Sequence, residues 1–208
     1  MINKVRGAFS VLAVVGMLLM IAPNVYAQSV ASQKAYFGSG TTEILAPDGD
    51  IILTGHIKTS DVSDLLIGVS LECALWTMTS NTATKGGGKS ESSSRAAVNI
   101  TVYVDGNAVE NEAVPGQVVY CDRKQTVNLT FASDTEVVTD QIILDIFLET
   151  KNANHFNFYK QDVQNGVHTI EVYADSIAEK DGQPVVMDPN IRAAIGKRTL
   201  VIEEYNSP

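Results

Sequence analysis

The sequence predicts an all-β protein, an antiparallel β-sandwich of about nine strands that follows a cleaved signal peptide. Three observations carry that expectation. Apolar residues recur at every second position over long stretches, the mark of half-buried strands. Between these stretches stand Pro47-Asp48-Gly49-Asp50, Asp105-Gly106-Asn107, Pro115-Gly116, Asn165-Gly166 and Asp181-Gly182, which tolerate positive φ or preset a bend. No stretch after residue 28 sustains a 3.6-residue apolar repeat, and the best helical candidate, Ser176 to Lys180, amounts to a turn.

The first element is a leader. Lys4 and Arg6 precede an apolar run from Ala8 to Ala22, and Val25-Tyr26-Ala27 before Gln28 supplies small residues where a signal peptidase needs them. Residues 1–27 are therefore expected to be removed, with retention as a membrane anchor as the alternative. Residues 28–43, rich in Ser, Gly, Thr and Gln, read as a flexible tail, and residues 44–205 as one sandwich domain. In order, Ile51, Leu53 and Ile57 form the first apolar face, then Leu65, Ile67, Val69, Leu71, Cys73 and Leu75, the clearest of all. After a Gly- and Ser-rich stretch at 80–95, expected as a long flexible loop, come Val98, Ile100, Val102 and Val104, a short strand at Val118 to Cys121, and Val127, Leu129 and Phe131. Ile142, Leu144, Ile146 and Leu148, then Phe156 and Phe158, Ile170 and Val172, and Leu200 and Ile202 complete the set.

Loss of the leader leaves 181 of 208 residues, enough for one core. It also leaves 13 basic against 24 acidic side chains, a net charge of −11. Such a surface repels phosphate backbones and anionic headgroups, so no nucleic-acid partner is expected. No second apolar stretch approaches the roughly 18 to 20 residues that span a bilayer, so no stable membrane insertion is expected once the leader is gone. The protein is expected to be secreted, periplasmic or at the cell surface.

Cys73 lies on the apolar face of its strand and Cys121 ends another. In an oxidising compartment a Cys73–Cys121 disulfide is the economical reading, with two buried free thiols as the alternative.

Catalytic motifs do not assemble. Gly88-Lys89-Ser90 has Ala83 where a phosphate-binding loop needs glycine, and Gly68-Val69-Ser70-Leu71-Glu72 lacks the closing glycine of a nucleophile elbow. Asp145 and Glu149 share a strand face but lie about 13 Å apart at strand rise, too far for a glycosidase pair. His56, His155 and His168 are scattered, and Asp48-Gly49-Asp50 reads as a turn rather than a calcium loop. No catalytic residue, metal site or cofactor is therefore assigned. Trp76, Tyr103, Phe147 and Tyr173 fall on outward faces by alternation, and Trp76 and Tyr103 are the candidate ligand-stacking residues, cross-strand pairing being the plain alternative. Asn99-Ile100-Thr101 and Asn128-Leu129-Thr130 are glycosylation sequons whose asparagines should face outward.

Gly166-Val167-His168-Thr169-Ile170-Glu171-Val172, after the Asn165 turn, resembles the penultimate strand of immunoglobulin-like and fibronectin type III-like modules of prokaryotic extracellular proteins. The resemblance implies one further strand, which Lys197 to Glu204 would supply. Trp76 only three residues after Cys73, and Val119 rather than tyrosine two before Cys121, depart from the immunoglobulin pattern, so the disulfide would not be the immunoglobulin one. The expected function is that of a non-enzymatic module binding another protein, a surface polysaccharide or itself. Alternatives are a carbohydrate-binding module and, further off, an extracellular hydrolase or a fibre subunit.

Overall fold

The computed structural model describes residues 34–84, 88–106, 111–131, 141–186 and 188–205, all within the unit Ser32–Pro208. The expected leader, and Gln28 to Gln33 of the expected tail, lie outside the described residues. Ten strands form two antiparallel sheets. They are β1 (Lys34–Ser39), β2 (Glu43–Ile44), β3 (Asp50–Thr59), β4 (Ser63–Thr84), β5 (Gly88–Val104), β6 (Val118–Phe131), β7 (Gln141–Val163), β8 (Gly166–Lys180), β9 (Gln183–Pro184) and β10 (Arg192–Tyr205). Sheet A runs β1-β10-β4-β7 with β2 also on β10, and sheet B runs β3-β8-β5-β6 with β9 also on β8.

The alternation in the sequence decides which side chains meet between the sheets. Leu65, Ile67, Val69, Leu71, Cys73 and Leu75 of β4 face Val98, Ile100, Val102 and Val104 of β5 and Ile170 and Val172 of β8 in one apolar cluster, joined by Phe158, Leu200 and Ile202. Cys73 and Cys121 are bonded, with Cα atoms 6.7 Å apart. The bond ties β4 of sheet A to β6 of sheet B, so it fastens one layer to the other. Within β6 the register slips between Val98 and Asn99 of its partner, leaving Tyr120 as an extra residue. That bulge lets Tyr120 and Cys121, neighbours in sequence, both point inward. The Tyr120 hydroxyl donates to the Val69 carbonyl at 2.7 Å across the sheets, and burial pushes its pKa well up.

Several elements differ from expectation. Lys34–Ser39, expected within the tail, is a strand, and Glu43, the tail's last residue, opens the strand Glu43–Ile44. Phe37 reaches the core because Gly55 on β3 has no Cβ, and a carbon built there would lie 2.6 Å from the Phe37 ring. Buried Arg198 fastens the same segment, donating to the carbonyls of Ile52 (2.9 Å) and Thr41 (2.8 Å) and to Glu43 Oε1 (2.8 Å). The stretch at 80–95, expected as a loop, belongs largely to β4 and β5, which pair with β7 and β6 respectively. Its inward residues include Asn81, Ser92 and Ser94, so no apolar alternation announces them. Ser176 to Lys180 continues β8 rather than turning helically. A bulge between Ile51 and Leu53 exposes Ile51 and buries Ile52 instead. Asn99, expected to face outward, is only 5% exposed and hydrogen bonds Asp175, so that sequon offers no free acceptor, whereas Asn128 is exposed.

Candidate functional site

The outer face of sheet A carries a groove of about 500 Å³. Its floor is made of small residues that fall side by side on three neighbouring strands, Ala74 of β4, Ala153 of β7, and Ala194 and Gly196 of β10. Trp76 stands at one end, Glu72 at the other, with Lys151 and Thr42 along the sides. The end nearest Glu72 is shaped by a bulge in β10 between Ile195 and Arg198. Glu72 Oε2 accepts from the Lys197 N–H at 3.3 Å and lies over Gly196. Arg198 holds Thr41 and Glu43 and so fixes Thr42 between them.

Trp76 is half-buried, and the Arg192 guanidinium sits 4.9 Å above its ring, a cation–π contact between directly opposed residues of β4 and β10. One face of the indole is thus already covered. Lys151 Nζ lies 3.4 Å from Glu149 Oε1, an exposed pair that is screened and exchangeable. A ligand in this groove would meet an aromatic edge, the Lys151 ammonium, one carboxylate and a methyl-lined floor.

Tyr103 is not part of this site. It lies on β5 in sheet B, on the opposite outer face, edge-on to Tyr173 with ring centroids 5.2 Å apart at 86°. Tyr103 pairs with Glu171 and Tyr173 with Thr101, so the two tyrosines are diagonal cross-strand neighbours. They border a smaller hollow of about 300 Å³ with Asp48, Gln117 and Asp175. Burial foremost, and Glu112 next, push the Tyr103 phenol upward, and burial likewise raises the Asp175 carboxyl. The sandwich therefore separates the two candidate stacking residues instead of bringing them together.

One constellation escaped sequence reasoning. Ser70 on β4 is directly opposite His155 on β7, with Oγ 2.7 Å from Nδ1, and His155 Nε2 lies 2.9 Å from Asn157 Oδ1. Serine, imidazole and amide stand in the order a nucleophile, base and orienting group would take. They lie on the open outer face of the sheet, with His155 and Asn157 exposed, so water is not excluded. Only the strand register, a property of two segments 85 positions apart, could have revealed it. Asp145 and Glu149 are both exposed on β7. His168, the third scattered histidine, is buried and bridges Asp105 Oδ2 (2.6 Å) and the Gln164 carbonyl (2.6 Å), a fastening of the β8 turn. Among the described residues no group of three or more His, Cys, Asp or Glu could hold a metal ion, and no helix is long and apolar enough to cross a membrane.

No family model and no curated protein matches the chain. Among solved structures it is similar to infectious bursal disease virus, Gt strain, at 12% identity and a TM-score of 0.31, over 86% of this chain and 38% of that one. The VP2 subviral particle of the same virus gives 12% identity and 0.28 over 86% and 38%. Parasporin-2, a Bacillus thuringiensis toxin, gives 8% and 0.12 over 84% and 69%. The chain thus spans well under half the length of the viral chains, and likenesses this slight bear on neither fold nor function.

Proposed function

We propose that the protein is an exported, non-enzymatic β-sandwich that binds a protein or a surface polysaccharide in the groove of sheet A. The observation that carries this reading is the groove itself, a depression of about 500 Å³ floored by alanines and closed at one end by Trp76 under Arg192. Concave, mostly apolar surfaces with a few convergent polar groups are where ligands settle. The disulfide is compatible with an extracellular setting, and the proposal places the protein outside the cytoplasm, secreted, periplasmic or surface-held. The likeness of Gly166 to Val172 to immunoglobulin-like and fibronectin type III-like modules belongs to the same proposal, since such modules serve as binding or spacer units.

The carbohydrate reading has one observation in its favour, an aromatic ring bordering an elongated sheet-face groove. It requires the sugar to take the indole face that Arg192 leaves, or to displace the guanidinium. An array of soluble polysaccharides, followed by titration of any hit, tests it. Trp76→Ala should weaken binding about five- to tenfold, as removal of an aromatic anchor does, whereas Tyr103→Ala on the far sheet should leave it unchanged. Equal loss in both variants would overturn the placement. Turnover of a polysaccharide or ester that disappears in Ser70→Ala or Glu149→Gln would overturn the non-enzymatic reading.

A further inference from the structure

We infer that β7 pairs antiparallel with the β7 of a second copy, centred on Thr150, so that two sheets A become one continuous sheet. One edge of β7 is bonded to β4. Along the other, among the described residues, the backbone is engaged at Tyr159, which exchanges two 2.8 Å hydrogen bonds with Val114. Peptide groups alternate sides along a strand, and β7 keeps an unbroken register with β4 from Lys160 back to Gln141. The N–H and C=O groups of the odd residues from 143 to 157 therefore point to the open edge, as those of Tyr159 do.

That edge carries little of what normally discourages pairing. Native edge strands are blunted by lysines, prolines, bulges or shortness. Residues 141–148, Gln-Ile-Ile-Leu-Asp-Ile-Phe-Leu, contain no lysine or proline and no bulge. Ile143 and Phe147 on the outer face are 59% and 52% exposed, and Leu144, Leu148 and Phe156 on the inner face are each about two-fifths exposed at 37%, 39% and 40%. A monomer leaves this apolar template in water.

The sequence of β7 is complementary to itself in one register. Pairing odd with odd residues about Thr150 sets Glu149 opposite Lys151 of the second copy, twice by symmetry, and Asp145 opposite His155, also twice. Phe147 meets the small Ala153, and Leu144 meets Phe156. A slip of one residue on each chain in one direction puts Glu149 against its own copy, and in the other puts Lys151 against its own copy. Like charges directly opposed destabilise a strand pair. The occupant is therefore a second copy of this chain rather than an unrelated strand. The symmetry axis runs perpendicular to the sheet, so both grooves lie on one face. Three strand spacings and a two-residue offset place the two Trp76 residues about 16 Å apart, a spacing that suits a repeating ligand through effective concentration. The pairing itself does not depend on what fills the groove.

Sedimentation equilibrium and cysteine cross-linking of the full chain test the pairing. The wild type should show twice the monomer mass at micromolar concentration. Lys151→Glu should weaken the dimer at least tenfold at low salt, and adding Glu149→Lys should restore it. In this register Thr150 faces Thr150 of the second copy as a non-hydrogen-bonded pair with Cα atoms about 4.5 Å apart, within disulfide reach. Thr150→Cys should cross-link to a covalent dimer on oxidation, and Asp145→Cys should not. A monomer at all concentrations, open-ended oligomers, no rescue by the charge exchange, or equal cross-linking of the two cysteine variants would each overturn the inference.

Discussion

Removing the Cys73–Cys121 bond, by Cys73→Ala with Cys121→Ala, should destabilise the sandwich by about 4 kcal/mol. The bond closes a loop with a sequence separation of 48, and in the chain-entropy model a cross-link over that length deprives the unfolded chain of about 14 cal/mol/K, or about 4 kcal/mol at 25 °C. Against a typical net stability of about 5 to 15 kcal/mol that is roughly a quarter or more. The loop contains β5 and the far half of β4, so the unfolded chain loses freedom in a segment that supplies both sheets. Urea titration followed by tryptophan fluorescence is the assay, since Trp76, the sole tryptophan, lies three residues from Cys73. The midpoint should fall, and the slope should rise because the uncrosslinked chain exposes more surface. Both cysteines are almost wholly buried, at 2% and 4% exposure. Dithiothreitol should therefore cleave the bond in urea and leave it intact in buffer. A stability loss under about 1 kcal/mol, or ready reduction of the native protein, would refute the view that this bond holds the sheets together from inside the core.

Gly55→Ala should cost about 1 to 3 kcal/mol, because its methyl would meet the Phe37 ring at 2.6 Å and Leu200 at 2.9 Å; thermal unfolding reads it, and an unchanged midpoint would mean that β1 does not dock on β3. Asp175 has its pKa raised above the ordinary aspartate value, first by burial, so its penalty is absent below the unfolded-state pKa and grows as pH climbs through the folded one. Asp175→Asn should accordingly gain stability relative to wild type at pH 7 and lose that advantage near pH 3; chemical denaturation at both values would show it, and an advantage equal at both would refute the cause.

Alternation made the apolar half of the sandwich legible. Leu65 to Leu75 and Val98 to Val104 bury one side each because a strand has a period of two and only one side faces the other sheet. The disulfide was legible for the same reason, both cysteines lying on such faces. The chain between 80 and 95 was not, because its inward residues, Asn81, Ser92 and Ser94, are polar and imitate a loop. What makes them strands is pairing with β6 and β7, from residues 29 or more positions away, as Glu91 with Asn128 and Thr82 with Ile143. Bulges were also invisible, and they account for Ile51 facing out and Tyr120 facing in. For the groove, Trp76 could be singled out, but its neighbours could not. Arg192, Lys151, Glu72 and Gly196 converge through the registers of β4 with β7 and β10, and composition carries no trace of register.

The two ends of the sandwich follow opposite rules, and the difference locates stability and association in different places. Between β4, β5, β8 and β10 the interior is apolar, sealed and cross-linked. Beyond Leu75 the interior turns polar. Gln125 takes up the hydroxyls, accepting from Thr77 at 3.1 Å and donating to Thr79 at 2.7 Å, while Asn81 donates to the carbonyls of Ser90 and Val127 at 2.9 and 2.8 Å. Such a layer holds register through directed bonds, yet each bond nets only about 1 kcal/mol after the loss of water. Apolar residues at this end appear instead on β7, where Ile143, Leu144, Phe147 and Leu148 stay between 37% and 59% exposed on the edge strand. Burial that the chain does not achieve by itself at this end is available only by adding surface from outside, and the free edge of β7 sets the direction from which that surface comes.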